Sequence, residues 1–229
     1  MPTRMPGGLS TASNPQGPFG ELGMPDPTKY YNFYDDFDTY LATDWTITKI
    51  GTGTQALTAG DGGRLLTTNS AADDDQVSNQ LTVASFLPVA GKQMFFACKF
   101  QVSDATQSDV LVGLVLGDTT PLDATDGIFF MKDDGDAQID VYVRKDATTG
   151  NNSLANVGTL VSATDIVMAW YYDGKSTVAF FLDGVKVASL DASSSYLPDT
   201  VLAVSFSIKN GEALAKSMNM DYIFAAKER

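Results

Sequence analysis

Histidine is missing from all 229 residues, and cysteine occurs once, as Cys98. Without histidine the Ser-His-Asp and Cys-His nucleophile arrangements are excluded, and with them the usual histidine-bearing zinc sites. A single cysteine excludes an intrachain disulfide. Glutamate is nearly as scarce, with Glu21, Glu212 and Glu228 standing alone among 28 acidic residues. Aspartate favours turns and caps where glutamate favours helices, so this bias argues for many loops and few helices. Basic residues are also few, 15 against 28 acids, for a net charge of −13. So acidic a surface repels polyanions, which argues against nucleic acid and anionic membrane as partners. No apolar run approaches a membrane span, and the N-terminus lacks the apolar stretch of a signal peptide. The chain is therefore expected to be made in the cytoplasm and to stay soluble.

What is present is a body rich enough to fold and a leading segment unlike it. Hydrophobic residues make up 44% of the chain, enough for a sizeable core. The first 28 residues hold six of the nine prolines (Pro2, Pro6, Pro15, Pro18, Pro25 and Pro27) and five glycines. Such a stretch does not form a helix or a central strand by itself. Residues 1–29 are read as an extended arm, able to reach ~90 Å at ~3.3 Å per residue. Tyr30, Tyr31, Phe33 and Tyr34 then mark the junction with the body, 30–229, which reads as one domain.

Within the body the pattern is period 2. Val110, Val112, Leu114 and Leu116 alternate with mixed neighbours, and Ile139, Val141 and Val143 alternate with Asp140, Tyr142 and Arg144. Leu202, Val204, Phe206 and Ile208 alternate with Ala203, Ser205 and Ser207. Met218, Met220, Tyr222 and Phe224 are set against Asn219 and Asp221 on the last strand. Asp173-Gly174, Asp183-Gly184 and Asn210-Gly211 are the dipeptides of tight hairpin turns. Further strands are expected near 31–37, 45–50, 54–58, 64–69, 77–83, 93–102 and 127–133, with irregular chain at 104–108, 117–126 and 147–158. Cys98 shares a face with Met94, Phe96 and Phe100 and reads as a buried thiol. The expected fold is all-β, an antiparallel two-sheet β-sandwich.

Chemistry is harder to find. No Gly-rich phosphate loop runs into Lys-Ser/Thr. Glycoside hydrolysis needs two facing carboxylates, but the three glutamates lie in the arm, in a turn and at the terminus; aspartate pairs remain the narrower route. Asp73-Asp74-Asp75 and Asp133-Asp134-Gly135-Asp136 invite a calcium reading, yet neither has the spaced aspartates and distal glutamate of a calcium loop. No metal and no cofactor is expected. Trp45, Trp170, Tyr171 and Tyr172 are candidate sugar-stacking aromatics, although Trp170 alternates with Met168 and Tyr172 in an apolar strand, which favours the core.

Tyr34-Asp35-Asp36-Phe37, then Trp45, Gly62-Gly63-Arg64-Leu65, Phe180-Phe181-Leu182-Asp183-Gly184 and the closing Met220-Asp221-Tyr222-Ile223-Phe224 span the body. Together they resemble the concanavalin A-like (laminin-G-like) jelly roll, in the forms found among structural proteins of tailed bacteriophages. That resemblance implies a non-enzymatic virion protein of the capsid decoration or cement type, on the capsid exterior. It would bind the major capsid protein or another virion protein through its arm, as a homo-oligomer (dimer or trimer). Arg4, Phe19, Leu22, Met24, Tyr30 and Tyr31 are the candidate docking residues. The same fold also serves as a lectin-like carbohydrate-binding module, here of a head or tail fibre, and less often as a glycosidase.

Overall fold

The computed structural model describes residues 29–60, 62–147 and 150–229. Fifteen strands follow one another: β1 Tyr30–Asp35, β2 Trp45–Ile50, β3 Thr54–Thr58, β4 Arg64–Thr68, β5 Gln76–Leu81, β6 Met94–Val102, β7 Ser108–Leu116 and β8 Gly127–Lys132. Then come β9 Gln138–Lys145, β10 Gly150–Thr159, β11 Ile166–Tyr172, β12 Thr177–Leu182, β13 Val185–Asp191, β14 Leu202–Asn210 and β15 Ser217–Glu228. The only helical pieces among the described residues are two 3-10 turns, Ala42–Asp44 and Pro121–Asp123.

All strand pairs are antiparallel and fall into two sheets. The eight-stranded sheet runs β13-β12-β11-β6-β15-β4-β3, with β1 beside the C-terminal half of β15. The seven-stranded sheet runs β10-β9-β8-β7-β14-β5-β2. Alternation puts Met94, Phe96, Cys98 and Phe100 of the first sheet against Val110, Val112, Phe130 and Phe206 of the second, in one buried cluster. Burying a large apolar side chain there contributes about 1.5–3 kcal/mol. Trp170 and Tyr172 belong to this core, as the alternation with Met168 predicted. Trp45 does too: it is 5% exposed, with its ring edge-on to Phe206 and stacked on Phe37. Burial also drives the Cys98 thiol far above its ordinary pKa, so it is an inert core group. The expected all-β antiparallel sandwich is the fold of this protein.

Three local expectations are corrected. The register of β15 against β6 shifts between Met220 and Tyr222. One extra residue moves a strand's later side chains to the opposite face. Met218, Met220, Ile223 and Ala225 therefore point inward, and Tyr222 and Phe224, expected alongside the two methionines, lie outside. Residues 150–159 form β10 on β9, where irregular chain was expected. Asp183-Gly184 makes a two-residue hairpin turn with both φ positive, at 46° and 81°, whereas Asn210-Gly211 does not. Instead the Asn210 side chain is a buried node, donating to the carbonyls of Ser70 and Ala72 and accepting from the Lys216 amide.

Candidate functional site

The outward side of the seven-stranded sheet is laid out by register. Gln80, Ser205, Gly113, Phe129 and Tyr142 form one row across β5, β14, β7, β8 and β9. The next row holds Ser78, Ser207, Leu111, Met131 and Asp140. Half of this surface is polar and half apolar, with the boundary between β14 and β7.

On the polar half the short side chains bond to one another. Ser207 Oγ donates to Ser78 Oγ at 2.7 Å, and Gln76 Nε2 donates to the same oxygen at 2.6 Å. Gln80 Nε2 reaches both Ser205 Oγ at 3.2 Å and the Leu116 carbonyl at 3.1 Å, while its Oε1 accepts the Asp118 amide at 3.0 Å. Ser78, Ser205 and Ser207 all have 0% exposure although they face out of the sandwich. They form a closed polar layer under the outer surface. Beside them runs the loop 117–126, tied down by Gln80.

That loop roofs the apolar half. Leu122 and Ala124 pack on Leu111, Val115 and Phe129, with Met131 and Tyr142 at the margin, as a second core outside the sandwich. The Phe129 and Tyr142 rings stack at 5.0 Å, and the Arg144 guanidinium lies 4.8 Å from the centre of the Tyr142 ring while donating to the Ala124 carbonyl. Gly113 makes the roof's underside possible. A Cβ there would lie 2.5 Å from Phe129 Cβ and 2.6 Å from the Ile128 carbonyl oxygen.

Carboxylates gather at one end. Asp109, itself buried, accepts the Asp134 amide at 2.6 Å and lies 3.4 Å from Lys209 Nζ, which also pairs with Asp74 at 2.6 Å. Partial burial, followed by the like charges of Asp109, Asp140 and Asp134, pushes the Asp133 carboxyl above the usual carboxylate range. Burial likewise lowers the Lys132 ammonium, whose hydrogens go to the carbonyls of Thr106 and Ser108. Among the described residues no group of three or more acids or thiols is placed to hold a metal ion. The 133–136 cluster is a turn closed by Gly135 at φ +92°, and Asp75 is occupied by the Ser70 hydroxyl and the Ala72 amide.

The residues singled out from sequence lie elsewhere. Arg4, Phe19, Leu22 and Met24 fall outside the described residues. Tyr30 and Tyr31 open β1, on the opposite sheet. The Tyr30 ring packs 6.0 Å from Phe95 and its hydroxyl donates to Gln93 Oε1 at 3.3 Å. Tyr31 is half-exposed beneath two cations, with Arg229 Cζ 4.0 Å and Lys227 Nζ 5.9 Å from its ring centre. Of the candidate sugar-stacking aromatics only Tyr171 reaches an outer face, stacked on Phe95 at 4.9 Å. Sequence reasoning missed the serine–glutamine layer. Its one signal was Gln76-Val77-Ser78-Asn79-Gln80, a polar strand facing the polar positions of β14.

No family model matches this sequence, and no curated protein does either. The likeness to solved structures is in the fold. An endo-1,3-beta-glucanase from Streptomyces sioyaensis superposes with a TM-score of 0.61 at 14% identity, over 89% of this chain and 98% of that one. The carbohydrate recognition domain of Emp47p gives 0.59 at 13% identity, over 88% and 98%. A carbohydrate esterase from Shiga toxin-encoding bacteriophage phi24B gives 0.50 at 15% identity, over 80% and 89%. The chain shares with them the concanavalin A-like jelly-roll sandwich as a fold.

Proposed function

We propose that this chain is a non-enzymatic structural protein of a virion, a decoration or cement protein on the exterior of a phage head. Its leading residues 1–29 would attach it to the major capsid protein or another virion protein. The observation that carries this reading is the anchorage of β1. Six consecutive residues, Tyr30 to Asp35, pair in register with Ile223 to Glu228 of the long central strand β15. The Arg229 amide adds a bond to the Lys29 carbonyl at 2.7 Å. A load applied through the preceding residues is therefore carried into the middle of the sheet by a row of backbone hydrogen bonds. The occurrence of this sandwich in a bacteriophage protein is consistent with such a role. The test is binding to heads assembled without this protein. Deletion of residues 1–28 is expected to leave a folded body that no longer binds, and retained binding would remove the arm from the mechanism.

A second reading, a carbohydrate-binding module of a head or tail fibre, is supported by the fold and by the partly exposed Tyr142 ring, stacked on Phe129 with the Arg144 guanidinium beside it. Sandwiches of this fold include a carbohydrate recognition domain and a glucanase. On this reading a glycan array gives saturable hits that weaken at least about tenfold in Tyr142→Ala. An array without hits eliminates it.

A further inference from the structure

The eight-stranded sheet also has an outward face, and it is apolar. Register places Ala226, Phe95, Tyr171 and Ala179 in one row and Phe224, Ala97, Ala169 and Phe181 in the next. Ala97, Ala169 and Ala226 form a low floor, and the partly exposed Tyr171, Phe181, Tyr222 and Phe224 stand around it, with Tyr34 at the rim. The ring contacts here, Tyr34 with Tyr222 and Phe224, Tyr30 with Phe95, and Phe95 with Tyr171, all join strands of this same sheet. No described strand or 3-10 turn packs over it.

From this face we infer that a second copy of the chain docks here, back to back, leaving both seven-stranded sheets outward. Charge is the first argument. Two bodies sharing a net of −13 each should repel, so contact requires a locally neutral patch. This face supplies one: Arg64 pairs with Asp165 at 2.5 Å and Asp221 at 3.1 Å, and Lys99 pairs with Asp221 at 2.5 Å. Two cations thus neutralise the two aspartates beside the aromatic field. The opposite face is left with an excess of acid, because Asp109, Asp133, Asp134 and Asp140 gather at its end around Lys209.

Area is the second argument. Five strands at ~4.8 Å spacing and about seven residues at ~3.3 Å give a patch of about 550 Å². Two copies would cover about 1,100 Å² in total, just past the ~1,000 Å² that separates specific pairs from incidental contacts. A face meeting its own copy makes an isologous contact and closes at two. Aromatic anchors around a desolvated centre are the composition such contacts favour.

Sedimentation of the full chain across a concentration series tests this directly. The expected result is a reversible monomer–dimer equilibrium. Ala169→Lys puts a cation at the centre of the patch, and Tyr34→Asp puts an anion at its exposed rim, where folding is not at stake. Each is expected to weaken dimerisation at least about tenfold. A chain that stays monomeric at every concentration overturns the inference, as does one that closes at three. So does a dimer that Tyr34→Asp and a folded Ala169→Lys both leave intact. If deletion of residues 1–28 abolishes the dimer while Ala169→Lys does not, the contact belongs to that segment and the inference fails.

Discussion

The two outer faces of this sandwich come from the same strand alternation and end as opposites. On the seven-stranded sheet the centre is serine and glutamine, hydrogen-bonded internally, and the apolar remainder is roofed by the chain's own loop 117–126. On the eight-stranded sheet the centre is alanine ringed by phenylalanine and tyrosine, and the charges beside it cancel in pairs. A sheet has only one face toward its core, so each outer face has to be finished separately. The first is finished within the chain; the second is left in a form another surface can complete. Fold alone predicts neither outcome, since the inward-facing residues that specify the sandwich take no part in either.

The largest expected effect lies at Gly113. Gly113→Ala forces a Cβ into the Phe129 side chain and the Ile128 carbonyl, and about 3 kcal/mol of destabilisation is expected. In the same urea titration Ala97→Gly on the other face should cost only about 1 kcal/mol, the backbone-entropy penalty of glycine in a strand. Equal costs would mean that the roofed face is no more tightly packed than the open one.

A smaller effect is expected in the polar layer. Ser207→Ala removes the donor to Ser78 Oγ, a bond of 2.7 Å at a fully buried site, and should cost about 1 kcal/mol. Combining it with Ser78→Ala should add less than the sum of the separate costs, because both act on one bond. Tyr34→Ala, at a ring 59% exposed, should change the stability of the monomer by less than about 0.5 kcal/mol. If the serine cycle is additive, the layer is a set of independent hydroxyls and not a network.

Much of this was readable from residues and part was not, for physical reasons. The inward alternation of β14 was plain because Leu202, Val204, Phe206 and Ile208 carry the whole apolar signal of one buried face. The Asp183-Gly184 turn was plain because positive φ at two successive residues demands such a pair. The flip of Tyr222 and Phe224 was hidden, because a bulge leaves no mark on an already apolar strand. Strand β10 was hidden for the opposite reason. Asn151, Asn152, Ser153, Ala155, Asn156 and Gly158 have little strand propensity, and that edge is held by pairing with β9, with Val157 packed on the core. The buried polar layer was invisible because Ser78, Ser205 and Ser207 look like ordinary solvent-facing positions. Only the register that aligns β5 with β14, and the loop that closes over β7, reveal them as buried.

The smallest expected effects carry opposite signs on the two faces. The Arg64 guanidinium beside Asp165 holds that carboxyl below the usual range, while partial burial and then Asp109, Asp140 and Asp134 hold Asp133 above it. A depressed folded pKa stabilises the native state above the unfolded value, about 3.9, and the benefit is lost as pH falls through the lower folded value. A raised folded pKa does the reverse: the ionised carboxylate is a burden at neutral pH that lifts as pH falls toward about 3.9. Asp165→Asn should therefore lower Tm at pH 7 and Asp133→Asn should raise it, each slightly, because both side chains are partly solvated. On acidification the gain in Asp133→Asn should vanish first, above about pH 3.9, and the loss in Asp165→Asn only below it. Melting curves of the two variants from pH 7 to acid decide the matter. If both substitutions move Tm in the same direction, the aspartates at the end of the seven-stranded sheet are not crowded by one another, and the electrostatic contrast between the faces fails.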